Sequence, residues 1–133
     1  MRLEIPFTKY AWHSGTIAWI LHRITGATLM FYLTLHVWIT HHLGKGPEEF
    51  DQMMKLLMHP AFRIGEIALL AAIVYHCLNG ARVLLVDLGI GVRHQEKMFW
   101  WVIGLSFILV VLGGIELFPW YLLQNPIFKG LLP

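Results

Sequence analysis

Apolar residues dominate three stretches of the chain, at about residues 16–40, 64–88 and 98–118. A helix that crosses a bilayer needs roughly 20 mostly apolar residues, so each stretch is long enough to span. Within hydrocarbon every backbone polar group needs a partner inside the protein, which leaves helices or closed barrels, and three strands cannot close a barrel. The pattern therefore predicts an all-α chain of three transmembrane helices, forming one membrane-anchor domain over residues 1–133. Between the first two stretches, glycine and proline punctuation precedes an amphipathic run near Glu48 to Met58 that stops at Pro60. This reads as a surface helix. The segment GIGVRHQEK between the second and third stretches reads as a tight polar turn. Pro119 is expected to end the third helix, with Trp120 and Tyr121 in the aromatic belt at a membrane face. The run Phe99-Trp100-Trp101 is expected to be another interfacial anchor.

Composition agrees with lipid as the solvent. Of 133 residues, 57% are hydrophobic and 14% charged, against about 25% charged in a soluble domain. The formal net charge of +2 gives no argument for nucleic acid. The single cysteine, Cys77, excludes an internal disulfide. The first ten residues carry no apolar run of the secretory kind and no Arg- and Ser-rich extension. That favours the cytoplasmic membrane of a prokaryote over the mitochondrial inner membrane. Arg2, Lys9, Arg23, Arg82, Arg93 and Lys97 fall on the side of the N-terminus, and Lys45, Lys55, Arg63 and Lys129 on the other. The excess of positive charge places the N-terminus in the cytoplasm.

Polar groups at membrane depth are costly, about 2.5–3.5 kcal/mol for an arginine at a helix centre, and mark functional positions. The first stretch holds His22, Arg23, Thr25 and His36; the second holds His76, Asn79, Arg82 and Asp87; the third holds Ser106 and, near its end, Glu116. His22 and His36 share a helix face but stand about 21 Å apart along the axis at 1.5 Å per residue. His76 lies near mid-span, with Gly80 one turn further on, where a missing side chain lets a flat group approach. A neutral imidazole in lipid is a strong ligand for haem iron, and His22, Arg23 and Arg82 are placed to meet the propionates. The competing reading makes His76 a hydrogen-bonded packing residue and lets Arg23 snorkel to the headgroups. His41 and His42 read as a solvated pair at the loop margin.

The string His22-Arg23-Ile24-Thr25-Gly26, together with Tyr75-His76-x-x-x-Gly80-x-Arg82 and the following Asp87-x-Gly89, resembles the cytochrome b membrane anchor subunits of succinate dehydrogenase. The resemblance covers the first two stretches and frames the third. It implies that His76 is the axial ligand of a b-type haem, the second ligand often coming from a partner anchor subunit. The three helices would then be part of a larger bundle. It implies that His22 and Arg23, with Arg82, lie by the haem propionates and the quinone pocket. The implied partners are a flavoprotein subunit, an iron–sulfur subunit and a second membrane anchor. Electrons from succinate would pass through them to quinone, and the chain alone would catalyse nothing.

Two departures from that pattern matter. Relatives often carry serine four residues before the motif arginine, where Trp19 stands here. The proximal quinone site is then either built differently, with Ser14 or Thr16 substituting, or absent. His36 is unnecessary in members with one haem, so it is a candidate ligand of a second haem or a packing histidine near the headgroups. Alternative functions are a quinol:fumarate reductase anchor, a haem-free quinone anchor, and a non-redox scaffold whose polar interior lines a proton path.

Overall fold

The computed structural model describes residues 13–124. They form four α-helices: α1 Ser14–Leu43, α2 Pro47–Leu57, α3 Pro60–Asp87 and α4 Gln95–Gln124, with one 3-10 turn at Val92–His94. Arg2, Lys9, Lys129 and the segment 125–133 lie outside the described residues, as do the side chains of Arg63, Trp120 and Tyr121.

The helix boundaries follow from local chemistry. Gly46, at φ 133, makes a turn that an L side chain would strain. Pro47 then opens α2, with Glu48 and Glu49 in its first turn and Lys55 in its last, which complements the helix dipole at both ends. The amphipathic run is therefore a helix, as its pattern predicts. The His59 side chain accepts from the Ala61 N–H at 3.3 Å and Pro60 follows at the first helical position, so Pro60 begins α3 as much as it ends the loop. Gly89 and Gly91, at φ 80 and 76, turn the chain from α3 into α4.

Pro119 does not end the third long helix, because α4 runs on to Gln124. A proline removes one backbone donor and leaves the next turn free to continue, which helices of membrane proteins tolerate.

Among the described residues, two helical segments are long and apolar enough to cross a membrane, Ile64–Asp87 and Val92–Glu116. Only 22% and 11% of their most apolar windows are buried inside the chain, whereas the core helix of a soluble protein buries most of its length. The 30-residue α1 is long enough to span a bilayer, but His22, Arg23 and His36 interrupt its apolar residues.

Helix α3 is central, antiparallel to α1 on one side and to α4 on the other. Gly113 of α4 lets Leu70 approach so closely that a Cβ there would lie 2.8 Å from Leu70 Cδ2, the small-residue contact that brings helices together without a hydrophobic drive. The Tyr75 hydroxyl donates to the Ala18 carbonyl at 3.3 Å and ties α3 to α1. The buried set is short and partly polar: Ala18, Ala72, Tyr75, Phe99 and Val102 beside Asn79, Arg82 and Ser106. Phe99 therefore belongs to the core and not to an interfacial anchor. Helical rotation turns it inward while Trp100 and Trp101 remain exposed. Most large apolar side chains face outward, toward lipid or other chains.

Candidate functional site

The polar residues of α1 and α3 meet between the two helices. The rings of His22 and His76 stack face to face, with centroids 4.0 Å apart and planes 6° from parallel. Each ring lies against a glycine of the opposite helix. A Cβ on Gly26 would fall 3.2 Å from His76 Cε1, and one on Gly80 would fall 3.6 Å from His22 Cε1. The flat group that Gly80 admits is thus the His22 imidazole.

The hydrogen bonds around His76 bear on its tautomer. Thr25 Oγ1 lies 2.8 Å from the Leu21 carbonyl and 3.0 Å from that of His22, and its single proton goes to these carbonyls. The 3.1 Å contact between Thr25 Oγ1 and His76 Nδ1 must then be donated by the imidazole. With the Thr25 proton on a carbonyl, His76 is the Nδ1–H tautomer, which leaves its Nε2 lone pair without a hydrogen-bond partner among the described residues. This is the form in which histidine binds a metal, with the other ring nitrogen held by an orienting partner. His22 Nδ1 is buried without a hydrogen-bond partner.

Beside the stack runs a groove of about 370 Å³, whose lining includes Trp19, His22, Arg23, Asn79, Arg82 and Asp87. It brings together all four residues expected at a propionate or quinone pocket: Trp19, His22, Arg23 and Arg82. Arg23 places its guanidinium carbon 4.1 Å from the centre of the Trp19 ring. Arg82, buried on α3, donates through Nη1 to Asn79 Oδ1 at 3.4 Å and through Nη2 to the Gln95 carbonyl at 3.2 Å. Neither Ser14 nor Thr16 lines the groove; Trp19 does.

His36 stands apart. It is exposed on α1, with Nδ1 3.5 Å from the Tyr32 hydroxyl. Its distance along the helix separates it from the His22–His76 pair. His41 and His42 occupy the last turn of α1, where His42 Nδ1 contacts the Trp38 carbonyl at 2.8 Å.

Sequence reasoning noted Thr25 and Asn79 as polar span residues without a role. The signal for Thr25 is its place three residues after His22, which puts it on the same helix face. Asn79 stands three residues before Arg82, within reach along one helix.

Among the described residues no three His, Cys, Asp or Glu side chains gather to hold a bare metal ion. One imidazole packed on Gly26 and stacked on His22, which itself lines the basic groove, is instead a donor suited to a macrocycle that would bring its own nitrogens to the iron. The residues present fit such a group.

Helices that bury so little of their apolar surface, enclosing paired histidines and arginines, define a helical membrane protein with a polar interior. Residues 3–113 match the family described as succinate dehydrogenase/fumarate reductase transmembrane subunit, and the chain belongs to that family. It is 36% identical to the membrane subunit of succinate dehydrogenase 2 from Mycobacterium tuberculosis over 111 residues, covering 83% of this chain and 82% of the relative. It is also 36% identical to the succinate dehydrogenase hydrophobic membrane anchor subunit of Halobacterium salinarum over 74% of this chain and 76% of the relative. A third relative, the succinate dehydrogenase cytochrome b556 subunit of Coxiella burnetii, is 28% identical over 85% of this chain and 93% of its own length.

Proposed function

We propose that this chain is the haem b-binding anchor of a succinate:quinone oxidoreductase in a prokaryotic cytoplasmic membrane, with α1 as a third span. It would pass electrons from an iron–sulfur subunit to quinone, beside a flavoprotein subunit and a second membrane anchor. The observation that carries the reading is the free Nε2 of His76, near the middle of an apolar helix, on an imidazole whose other nitrogen is held by Thr25. The names of the relatives support succinate oxidation over fumarate reduction as the direction.

When bound, a b-type haem supplies one-electron capacity at a potential set by its axial ligands and its burial. His76 would hold the iron. Two imidazoles stacked 4.0 Å apart would not both hold one iron, so His76 would be the ligand from this chain and a histidine of the second anchor would supply the other. His22, Arg23 and Arg82 border the groove as donors. The two guanidinium groups stabilise negative charge on propionates or on quinone oxygens undergoing reduction, as preorganised charge does in a site shielded from water. Trp19 holds Arg23 on its ring face and closes one wall.

The test is a haem assay per flavin on the purified complex, paired with succinate:quinone reductase activity. One b-type haem per flavin with activity supports the reading. Activity without haem would make the chain a quinone anchor only.

A further inference from the structure

Asn79 is fully buried, at 0% exposure, on a helix that also buries Ala72, Tyr75 and Arg82. Its Oδ1 accepts from Arg82, while its Nδ2 has no hydrogen-bond partner. An apolar side chain of matched size would fill the same space without an orphaned donor. Packing therefore does not explain the amide.

Arg82 is 7% exposed, and both of its hydrogen-bond acceptors are neutral: the Asn79 amide oxygen and the main-chain oxygen of Gln95. A buried cation without a balancing charge is strongly disfavoured. Arg82 is also only five residues from the end of α3, about 7.5 Å along the axis. An arginine so close to the membrane face is free to snorkel to the headgroups. Here it points inward, each terminal nitrogen held by one acceptor, with Asn79 on α3 and Gln95 at the start of α4. It lines the groove that Trp19, His22 and Arg23 also border; Asp87 lines it too, but is exposed and makes no ion pair with Arg82, so a negative charge in direct contact with the guanidinium would come from what the groove receives.

We propose that Asn79 is a positioning residue: with the Gln95 carbonyl it fixes the Arg82 guanidinium at the groove wall, where Arg82 meets an oxygen that carries or develops negative charge. The inference rests on the functional reading above and adds a residue to it. Two sources share this chemistry, a haem propionate and the oxygen of a quinone being reduced.

The experiment is a double-variant cycle on the intact complex with Asn79→Ala, Arg82→Gln and both together. Two quantities are read: the haem midpoint potential, by redox titration of its absorbance, and KM for quinone. If the oxygen belongs to a propionate, each single variant lowers the potential. If it belongs to the quinone, each raises KM, by about tenfold for the loss of a charge-assisted hydrogen bond. In either case the double variant is no worse than Arg82→Gln alone, because Asn79 acts through Arg82. Additive effects in both quantities, or none from Asn79→Ala, overturn the proposal. Should Asn79→Ala fail to assemble, the isosteric Asn79→Asp decides. Its carboxylate cancels the Arg82 charge, so the shift should match that of Arg82→Gln, and values like those of the unaltered complex overturn the proposal. An unaltered complex with no b-type absorbance overturns the functional reading itself, and this is read before any variant is made.

Discussion

His22 and His76 lie face to face between α1 and α3, and each ring rests on the glycine four residues after the other histidine. The two helices carry the same short pattern, His-x-x-x-Gly, in antiparallel register. The small residue on one helix makes room for the ring of the other, so both imidazoles sit within the helix interface at van der Waals distance.

The two glycines are not equivalent. Replacing a helical glycine with alanine gains roughly 0.5–1 kcal/mol from backbone entropy. At Gly80 the new methyl meets His22 Cε1 at 3.6 Å, an ordinary contact; at Gly26 it meets His76 Cε1 at 3.2 Å, and the ring must move. Overpacking costs about 1–3 kcal/mol and outweighs the gain. Gly26→Ala is expected to lower the haem content and melting temperature of the purified complex, and Gly80→Ala to leave both unchanged or raise the latter. Equal effects at the two sites would contradict the packing.

On the proposed function, Thr25 would orient the iron ligand His76, whose Nδ1 it contacts at 3.1 Å. Thr25→Val keeps the shape and removes the oxygen that accepts from His76 Nδ1. Loss of such an orienting partner typically weakens metal binding by about 10–100-fold. Haem should dissociate faster from the Thr25→Val complex in a transfer assay to an apo-globin acceptor, while Thr25→Ser behaves like the unaltered protein. Identical haem loss from all three would remove Thr25 from this role.

On the proposed function, Trp19 would act on quinone through Arg23, whose guanidinium lies over its ring. A cation over an indole face contributes about 0.5–2 kcal/mol, so Trp19→Ala should raise KM for quinone between about twofold and thirtyfold. Trp19→Phe, which keeps an aromatic face, should do less. Steady-state quinone reduction checks this; a KM unmoved by Trp19→Ala would show that the ring is only a wall.

His36 is exposed and far from the stacked pair. His36→Ala is expected to leave haem per flavin at one. A fall from two to one in that ratio would make His36 the ligand of a second haem.

Much of this architecture is legible in the sequence because lipid imposes simple rules. The length of the apolar stretches gives the long helices, and the amphipathic run gives α2. The cost of polar groups in hydrocarbon singles out His22, Arg23, His76 and Arg82, the residues that do converge. What the sequence does not carry is which residue of one helix meets which of the next. Gly80 reads as room for a flat ligand, yet the ring beside it is His22. Phe99 reads with Trp100 and Trp101 as an anchor, yet one step of helical rotation buries it beside Arg82. Pro119 reads as a stop because proline removes a donor, but α4 absorbs the loss. The tautomer of His76 depends on where the one proton of Thr25 goes, which only the contacts of the folded helix decide.

The most direct measurement is a reduced-minus-oxidised optical spectrum of the purified complex, unaltered and with His76→Ala or His22→Ala. The b-type bands should be present in the unaltered complex, absent with His76→Ala, and retained with His22→Ala. Bands that survive His76→Ala in an assembled complex would contradict the assignment of that imidazole as the iron ligand.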